Sequence, residues 1–592
     1  MPVALARYLP ILDWGRHYSR DQLASDLVAA VIVTIMLIPQ SLAYAMLAGL
    51  PPEVGLYASI APLLAYTLFG TSRTLAVGPV AVIALMTATA ASTVAEPGTA
   101  AYTEATLALA FLSGVMLVVM GLLRMGFLAN LLSHPVVSAF ITASALLIAT
   151  SQLGKLLGVS AAGGTMVEML GSLARSVGAA NAATLAVGAT ALLFLFWVRR
   201  GFAPLLRRLG LARRPADLVA KAGPAIAVLA AIAATVALDL ESQGVETVGA
   251  IPAGLPPITI PPLAPDILGP LLLPAFLIAL VGFVESVSVA QTLAARRRQR
   301  IRPDQELTAL GAANLAGAFS GGFPVTGGFA RSVVNFDAGA ETPLAGTFTA
   351  VGIALATIWL AHLLAPLPTA VLAATIIVAV LNLADWQMPR RLWAYSRADF
   401  AAWAATVALT LSAGVEAGIM AGVLLSLSLF LWRASRPHAA IVGRVPDTEH
   451  FRNVRRHDVI THPAVLTIRI DESLTYLNAR WLEEYVLEAV VEQPHVRHLI
   501  LMCSAVNAID ASALESLEAI NARLAEAGVK LHLTEVKGPV MDRLQRSHLL
   551  RDLSGRVWLS QNEAFQALTA TSGPASPPDR ANPPKPVMEI SK

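Results

Sequence analysis

The sequence predicts an α-helical membrane protein of fourteen segments in two inverted repeats, followed by a soluble α/β domain. Three observations predict this. Of 592 residues, 56% are hydrophobic and only 14% charged, against about 25% charged in soluble domains. Apolar stretches near the ~20 residues that cross a bilayer recur up to about position 434. Beyond that point the composition turns to that of a water-soluble domain.

The apolar stretches run 26–48, 54–70, 78–94, 103–123, 127–150, 180–198 and 221–238 in the first half. In the second they run 268–293, 307–320, 327–338, 343–364, 367–384, 398–413 and 415–433. Several are too short to span alone. "LIPQSLAYAM" and "TSRTLAVGPVAV" interrupt the first half, and "FVESVSVA" and "GGFPVTGG" the second. Broken segments in matching places of two halves mark an inverted-repeat transporter with a midplane site. The expected membrane domain is 1–434, with repeats at about 20–200 and 215–434.

Orientation follows from Lys and Arg in the loops. One loop carries Arg199, Arg200, Arg207, Arg208, Arg213, Arg214 and Lys221; another carries Arg296, Arg297, Arg298, Arg300 and Arg302. Arg390, Arg391 and Arg397 form a third group. All fall on one side if segments alternate, and the 239–267 loop opposite has no Lys or Arg. Both termini are therefore expected in the cytoplasm, with the chain in a bacterial inner membrane. The N-terminal stretch is not expected to be a cleavable signal, because it lacks an apolar core followed by a small-residue site.

Residues 435–460 are expected to be a linker and 461–571 the soluble domain. "AVLTIRI", "HLILMCSAV" and "VKLHLTEV" read as strands, and "NARWLEEYVLEAVVEQ" has helical spacing. The Pro-rich stretch 572–592 is expected to be disordered.

Enzyme chemistry is not expected: the sequence has no nucleotide-binding loop and no triad arrangement. The single Cys503 rules out a disulfide framework and reads as a buried strand residue. The eleven histidines are scattered, so no metal site is expected, and neither cofactor nor nucleic acid is implied.

Glu285 lies deep in an apolar segment, where a carboxylate costs about 2.5–3.5 kcal/mol and is normally functional or paired. It reads as a proton site or as a structural partner for a cation. Arg331 is its natural counter-charge. Gly327 and Gly328 precede it and could open a half-helix, whose bare N–H groups and positive dipole suit an anion. Arginine adds forked donors, although Arg331 could instead only lock Glu285 or reach to the surface. In the first half, Gly78 and Pro79 favour a helix starting near Val80. Two such starts could converge on one ligand.

At these residues the chain resembles the SulP family of sulfate permeases and related anion transporters. "LIPQSLAYAMLAGLPPEVGLYASIAPLLAYTLFGTSRTLAVGPVAVIALM" is similar to the family signature, as is the stretch from "FVESVSVAQTLAARRRQR" to "GGFPVTGGFARSVVNFDAGAETPLAG". The soluble part resembles a STAS domain, best in "VKLHLTEVKGPVMDRLQRSHLL". The resemblance implies a seven-plus-seven fold with core and gate domains, an elevator-type motion and a homodimer. It places the anion near Gln40 and Tyr44, the backbone of Val80 and Ala81, Glu285, and the run Gly327, Gly328, Phe329, Ala330 and Arg331.

Sulfate with protons is the expected substrate pair. "AVGPVAV" resembles sulfate transporters, and Glu285 stands where proton-coupled sulfate members carry glutamate. Bicarbonate, chloride or dicarboxylates are the alternatives, and a channel or sensor signalling through the STAS domain to a cytosolic partner is a further one. One departure is notable. Sulfate members often read T-G-S-F-S-R-S, whereas Gly328 and Ala330 replace both inner serines here. In the STAS part, Asp510-Ala511-Ser512-Ala513 keeps one serine of the D-S-S-G regulatory loop, and Ser512-x-x-Glu515 reads as a capping box.

Overall fold

The computed structural model describes residues 8–130, 133–159, 163–210, 212–213, 216, 219–220 and 222–571. The stretch 572–592, expected to be disordered, lies outside them, as do Arg214 and Lys221 of the arginine-rich loop. The chain forms two compact units, Met1–Ser426 and Leu427–Lys592.

The first unit is helical. Its first half contains α1 (Arg20–Leu47), α2 (Ala61–Phe69), the two-residue strand β1 (Val77–Gly78), and α3 (Ala81–Ala91). There follow α4 (Ala100–Leu122), α5 (His134–Leu157), α6 (Ala182–Trp197) and α7 (Gly223–Leu238). The second half contains α8 (Pro265–Arg296), α9 (Pro303–Ala318), the strand β2 (Thr326–Gly327), and α10 (Phe329–Ala338). It continues with α11 (Leu344–Trp359), α12 (Thr369–Leu381) and α13 (Arg397–Ala413), and α14 (Val415–Ser435) begins in it and runs past Ser426. Among the described residues, six helices are long and apolar enough to cross a membrane: α1, α4, α5, α6 with its continuation to Arg208, α8 and α14.

Of the four expected interruptions, two are real breaks. "TSRTLAVGPVAV" and "GGFPVTGG" each become a short strand leading into a helix. The other two lie inside continuous helices: α1 runs through Pro39, and α8 runs through Glu285 without a break. The reason is local. A single proline removes one helical hydrogen bond that packed neighbours tolerate, and "FVESVSVA" holds polar residues but no helix breaker.

Capping and packing set the frame. A reciprocal capping box opens α1: Ser19 Oγ accepts from Gln22 N–H at 3.2 Å, and Gln22 Oε1 accepts from Ser19 N–H at 3.0 Å. Helix α9 crosses α4 closely, with Gly114 and Gly311 facing one another. A Cβ on Gly311 would lie 2.8 Å from the Gly114 carbonyl oxygen, so small residues permit the approach. Helix α1 packs on α3, α10 and α11, and α8 packs on α3, β2 and α10.

The second unit is a six-stranded sheet in the order β4-β3-β5-β6-β7-β8. Its strands are β3 (Ala439–Arg444), β4 (Phe451–Asn453), β5 (Val465–Ile470), β6 (His498–Met502), β7 (Lys530–Thr534) and β8 (Val557–Trp558). Strands β5 to β8 are parallel, whereas β3 is antiparallel to β5 and β4. The stretch 435–460, read from the sequence as a linker, thus carries the two strands at one edge of the sheet, β3 and β4. Its short alternation, broken by "PDTEH", resembles loop composition, but inward Ala440, Val442 and Phe451 are buried. Helices α15 (Ala479–Val491), α16 (Ala511–Glu526) and α17 (Gln561–Thr571) cover the sheet. Cys503 is buried just beyond β6, and burial pushes its thiol up to about 12, which disfavours the thiolate.

A histidine pair crosses this sheet. His532 Nδ1 accepts from Arg556 N–H and Trp558 Nε1–H, both at 3.2 Å, and its Nε2 faces His498 Nδ1 at 3.1 Å. Burial first, then the nearby positive groups, pushes His532 down to about 4. The unfolded chain takes up a proton near pH 6.5 that folded His532 refuses. The domain is therefore expected to lose stability as pH falls from about 6.5 towards 4. His532→Asn, which keeps an acceptor for Trp558 but does not titrate, is expected to flatten that loss. Hydrogen exchange of the β7 amides against pH, corrected for intrinsic rates, measures it.

Candidate functional site

The two broken segments meet. Strands β1 and β2 pair antiparallel, Val77 opposite Gly327 and Gly78 opposite Thr326. Gly328 N–H extends the contact by donating to the Ala76 carbonyl at 3.1 Å. From this crossing α3 and α10 depart, and neither has a side-chain cap at its start, Val80 and Gly328 being extended. Both helix starts therefore present backbone N–H groups with no capping side chain, under a positive dipole end.

Side chains of the second half fix the crossing. Thr326 Oγ1 donates to the Gly282 carbonyl at 2.6 Å and lies 2.7 Å from Ser286 Oγ, which accepts from Gly327 N–H at 2.9 Å. Asn314 of α9 pairs with Val325 like a strand neighbour, its amide donating to the carbonyl and its oxygen accepting the N–H, each at 2.9 Å. Ser332 Oγ accepts from Ala76 N–H at 3.0 Å and donates to the Gly328 carbonyl at 2.7 Å.

Arg331 sits in the first turn of α10, 2% exposed. Its guanidinium lies against two glycines, one from each half. A Cβ on Gly78 would stand 3.0 Å from Nη1, and one on Gly328 2.9 Å from Nη2. Both Nη1 and Nη2 are buried and have no hydrogen-bond partner. A buried guanidinium without acceptors is costly, and no described residue offsets that cost with a hydrogen bond to either terminal nitrogen. The alternative reading, a direct lock of Arg331 on Glu285, is not seen among the described residues, since neither terminal nitrogen reaches an acceptor.

The other sequence-predicted residues lie on α1 and α8, which both pack on α3 and α10, and at the starts of α3 and α10 themselves. Gln40 and Tyr44 stand one turn apart on α1, Gln40 half-buried and Tyr44 buried. Val80 and Ala81 are buried at the start of α3, and Gly327 and Gly328 at the crossing, whereas Phe329 and Ala330 are exposed. Glu285 is half-buried and borders an apolar cavity of about 30 Å³ with Val82, Phe140, Val284 and Ile419. A larger cavity, about 1340 Å³, is lined by Arg73, Arg199, Arg297, Asp337 and Glu341 among others. Arg297 is held there over the Phe336 ring at 4.3 Å and by donating to the Phe336 carbonyl at 3.0 Å.

Ser512 belongs to the second unit. It does not cap its helix. Asp510 does, accepting from Ala513 N–H at 2.9 Å and from Tyr476 N–H at 2.7 Å. A carboxylate with two backbone donors outcompetes the serine two residues on, and Ser512 is left exposed in the first turn of α16.

Sequence reasoning missed Asp26 and Glu306, both fully buried. Each stands near a helix start beside other charges, "SRDQLASD" and "RPDQE", where a carboxylate looks like a solvated end group.

Two uncapped half-helix starts, crossed inside a helical membrane unit around an unpaired buried cation, define a transporter fold. Comparison with known proteins narrows this. Residues 23–406 match the Sulfate permease family and residues 456–564 the STAS domain. The chain is 34% identical over 565 residues to the probable sulfate transporter MT1781 of Mycobacterium tuberculosis, covering 95% of this chain and 98% of that one. It is 33% identical over 563 residues to the probable sulfate transporter 4.2 of Arabidopsis thaliana, covering 93% of this chain and 81% of that one. Its fold is similar to that of murine Solute Carrier 26 family member A9, an anion transporter solved in the inward-facing state. The TM-score is 0.86 at 23% identity, with 97% of this chain and 95% of that one covered. The chain belongs to the sulfate permease family, with a STAS domain following the membrane unit. It is an integral membrane transporter and not an enzyme.

Proposed function

We propose that the chain is a secondary active anion transporter that takes up sulfate together with protons. The observation that carries the reading is the Arg331 guanidinium, buried between two uncapped helix starts with both terminal nitrogens unpartnered. The anion binds there through backbone N–H groups of α3 and α10 and the fork of Arg331. Gln40 and Tyr44 line it from α1, and Glu285 carries a proton. The names of the relatives support sulfate. Gly328 and Ala330 provide no hydroxyl ligands, which makes the bound charge, more than a hydroxyl cage, the basis of selection.

In this reading the fourteen segments form a core that moves against a gate, as a homodimer in a bacterial inner membrane with both termini inside. The cavity lined by Arg73, Arg199 and Arg297 is the inner approach, whose positive side chains concentrate anions.

The test is uptake of labelled sulfate into proteoliposomes with an acid exterior. One pH unit is a tenfold driving ratio per coupled proton, so a protonophore is expected to cut accumulation roughly tenfold or more. Accumulation indifferent to the pH gradient would remove proton coupling. Stronger competition by bicarbonate, chloride or a dicarboxylate than by sulfate itself would reassign the substrate.

A further inference from the structure

The two buried carboxylates that the sequence hides hold the broken segments from outside the anion site. Glu306 opens α9 and is fully buried. Its Oε1 accepts from Thr71 N–H at 2.8 Å, from Ser72 N–H at 3.0 Å and from the Thr71 hydroxyl; its Oε2 accepts from the Tyr66 hydroxyl at 2.7 Å. Thr71 and Ser72 belong to the stretch that leads into β1.

Asp26 on α1 is equally buried. Its Oδ1 accepts from Glu341 N–H at 2.7 Å and from Thr342 N–H at 3.1 Å. Its Oδ2 accepts from the Thr342 hydroxyl at 2.6 Å and from the Tyr18 hydroxyl at 3.2 Å. Glu341 and Thr342 follow the turn that ends α10, where Gly339 adopts a φ of 105°.

The arrangement is reciprocal. A second-half carboxylate holds the entry to the first-half crossing, and a first-half carboxylate holds the exit from the second-half crossing. Both grips lie at the end of the unit that bears the arginine loop after α8. Arg302 N–H donates to Thr71 Oγ1 at 3.2 Å, and the Arg297 guanidinium donates to the Ala340 carbonyl. Backbone N–H groups in irregular, buried turns need acceptors, and a carboxylate supplies two oxygens with a charge that strengthens each bond.

We propose that Asp26 and Glu306 are positioning residues of transport: each clamps the broken segment of the opposite half, so that both helix starts and Arg331 keep one geometry while the anion crosses. This rests on the transport reading above. Neither residue touches the anion.

The experiment compares Asp26→Ala, Asp26→Asn, Glu306→Ala and Glu306→Gln in the full chain, with uptake scaled to folded, monodisperse protein. Each alanine variant is expected to raise the KM for sulfate about tenfold, with a smaller change in maximal rate. The amide variants are expected to restore KM to within about twofold, because an amide oxygen still faces the N–H groups and the hydroxyls can turn to accept. Folded alanine variants with wild-type KM would overturn the proposal, as would amide variants no better than alanine. If the wild-type chain moves no sulfate, the transport reading fails on its own, and hydrogen exchange then decides the clamp. Amides of Thr71, Ser72, Glu341 and Thr342 are expected to exchange at least about tenfold faster in the alanine variants. Equal exchange would reject the clamp.

Discussion

Arg331→Ala is expected to abolish sulfate uptake while raising the thermal stability of the anion-free protein. The two effects have one cause. Nη1 and Nη2 are buried without acceptors, so the empty site carries an uncompensated charge that costs folding free energy. Removing the guanidinium relieves that cost and leaves Gly78 and Gly328 beside a small void. Bound sulfate, in turn, loses a forked, charge-assisted contact. Hydrogen bonds to a charged group contribute about 1.5–3 kcal/mol each, so losing two weakens binding by roughly a hundredfold or more. Arg331→Lys keeps the charge but loses the fork, and it is expected to fall between the two. Thermal melting with and without sulfate is the companion measurement. The wild type gains stability with the anion through linkage, whereas the alanine variant starts higher and does not respond. A variant that melts lower and still responds to sulfate would place the anion elsewhere.

Glu285→Gln is expected to separate movement from drive. The glutamine keeps the size and polarity of the side chain beside the apolar cavity but cannot take a proton. Moving a dianion into a negative interior opposes about 2.3 kcal/mol per charge per 100 mV, and a proton carried on Glu285 offsets part of it. With the proton site gone, accumulation driven by an acid exterior is expected to fall at least about tenfold per pH unit imposed. Exchange of internal for external sulfate, which needs no net proton movement, is expected to persist. Accumulation in the variant that still tracks the pH gradient would take the proton role away from Glu285.

Both residues were visible in the sequence, Glu285 because it breaks an apolar run and Arg331 because it follows the glycine-rich stretch of the same repeat. A lone ionisable group surrounded by Leu, Val and Ala has few explanations, and the glycines and proline around Gly78 and Gly328 marked the two real breaks. Apolar stretches likewise located the helices: 268–293 lies within Pro265–Arg296, and 398–413 nearly coincides with Arg397–Ala413. Asp26 and Glu306 were not legible, because their role depends on turns more than 230 residues away. No local pattern encodes such a partner. The same holds for β3 and β4, whose pairing with the rest of the sheet is a tertiary event that their short, interrupted apolar pattern does not announce. "LIPQSLAYAM" and "FVESVSVA" misled in the opposite direction, since polarity and one proline suggested breaks that packing overrides.

The pairing of Val77 with Gly327 also constrains how the protein is made. When the first half emerges from the ribosome, the bare backbone around β1 has no partner, and lipid offers none. The first half must therefore wait, shielded by its own helices, a translocation partner or water, until the residues around β2 have been synthesised. The crossing is thus among the last parts of the membrane unit to assemble, and a chain that stops short of the second half has no crossing at all.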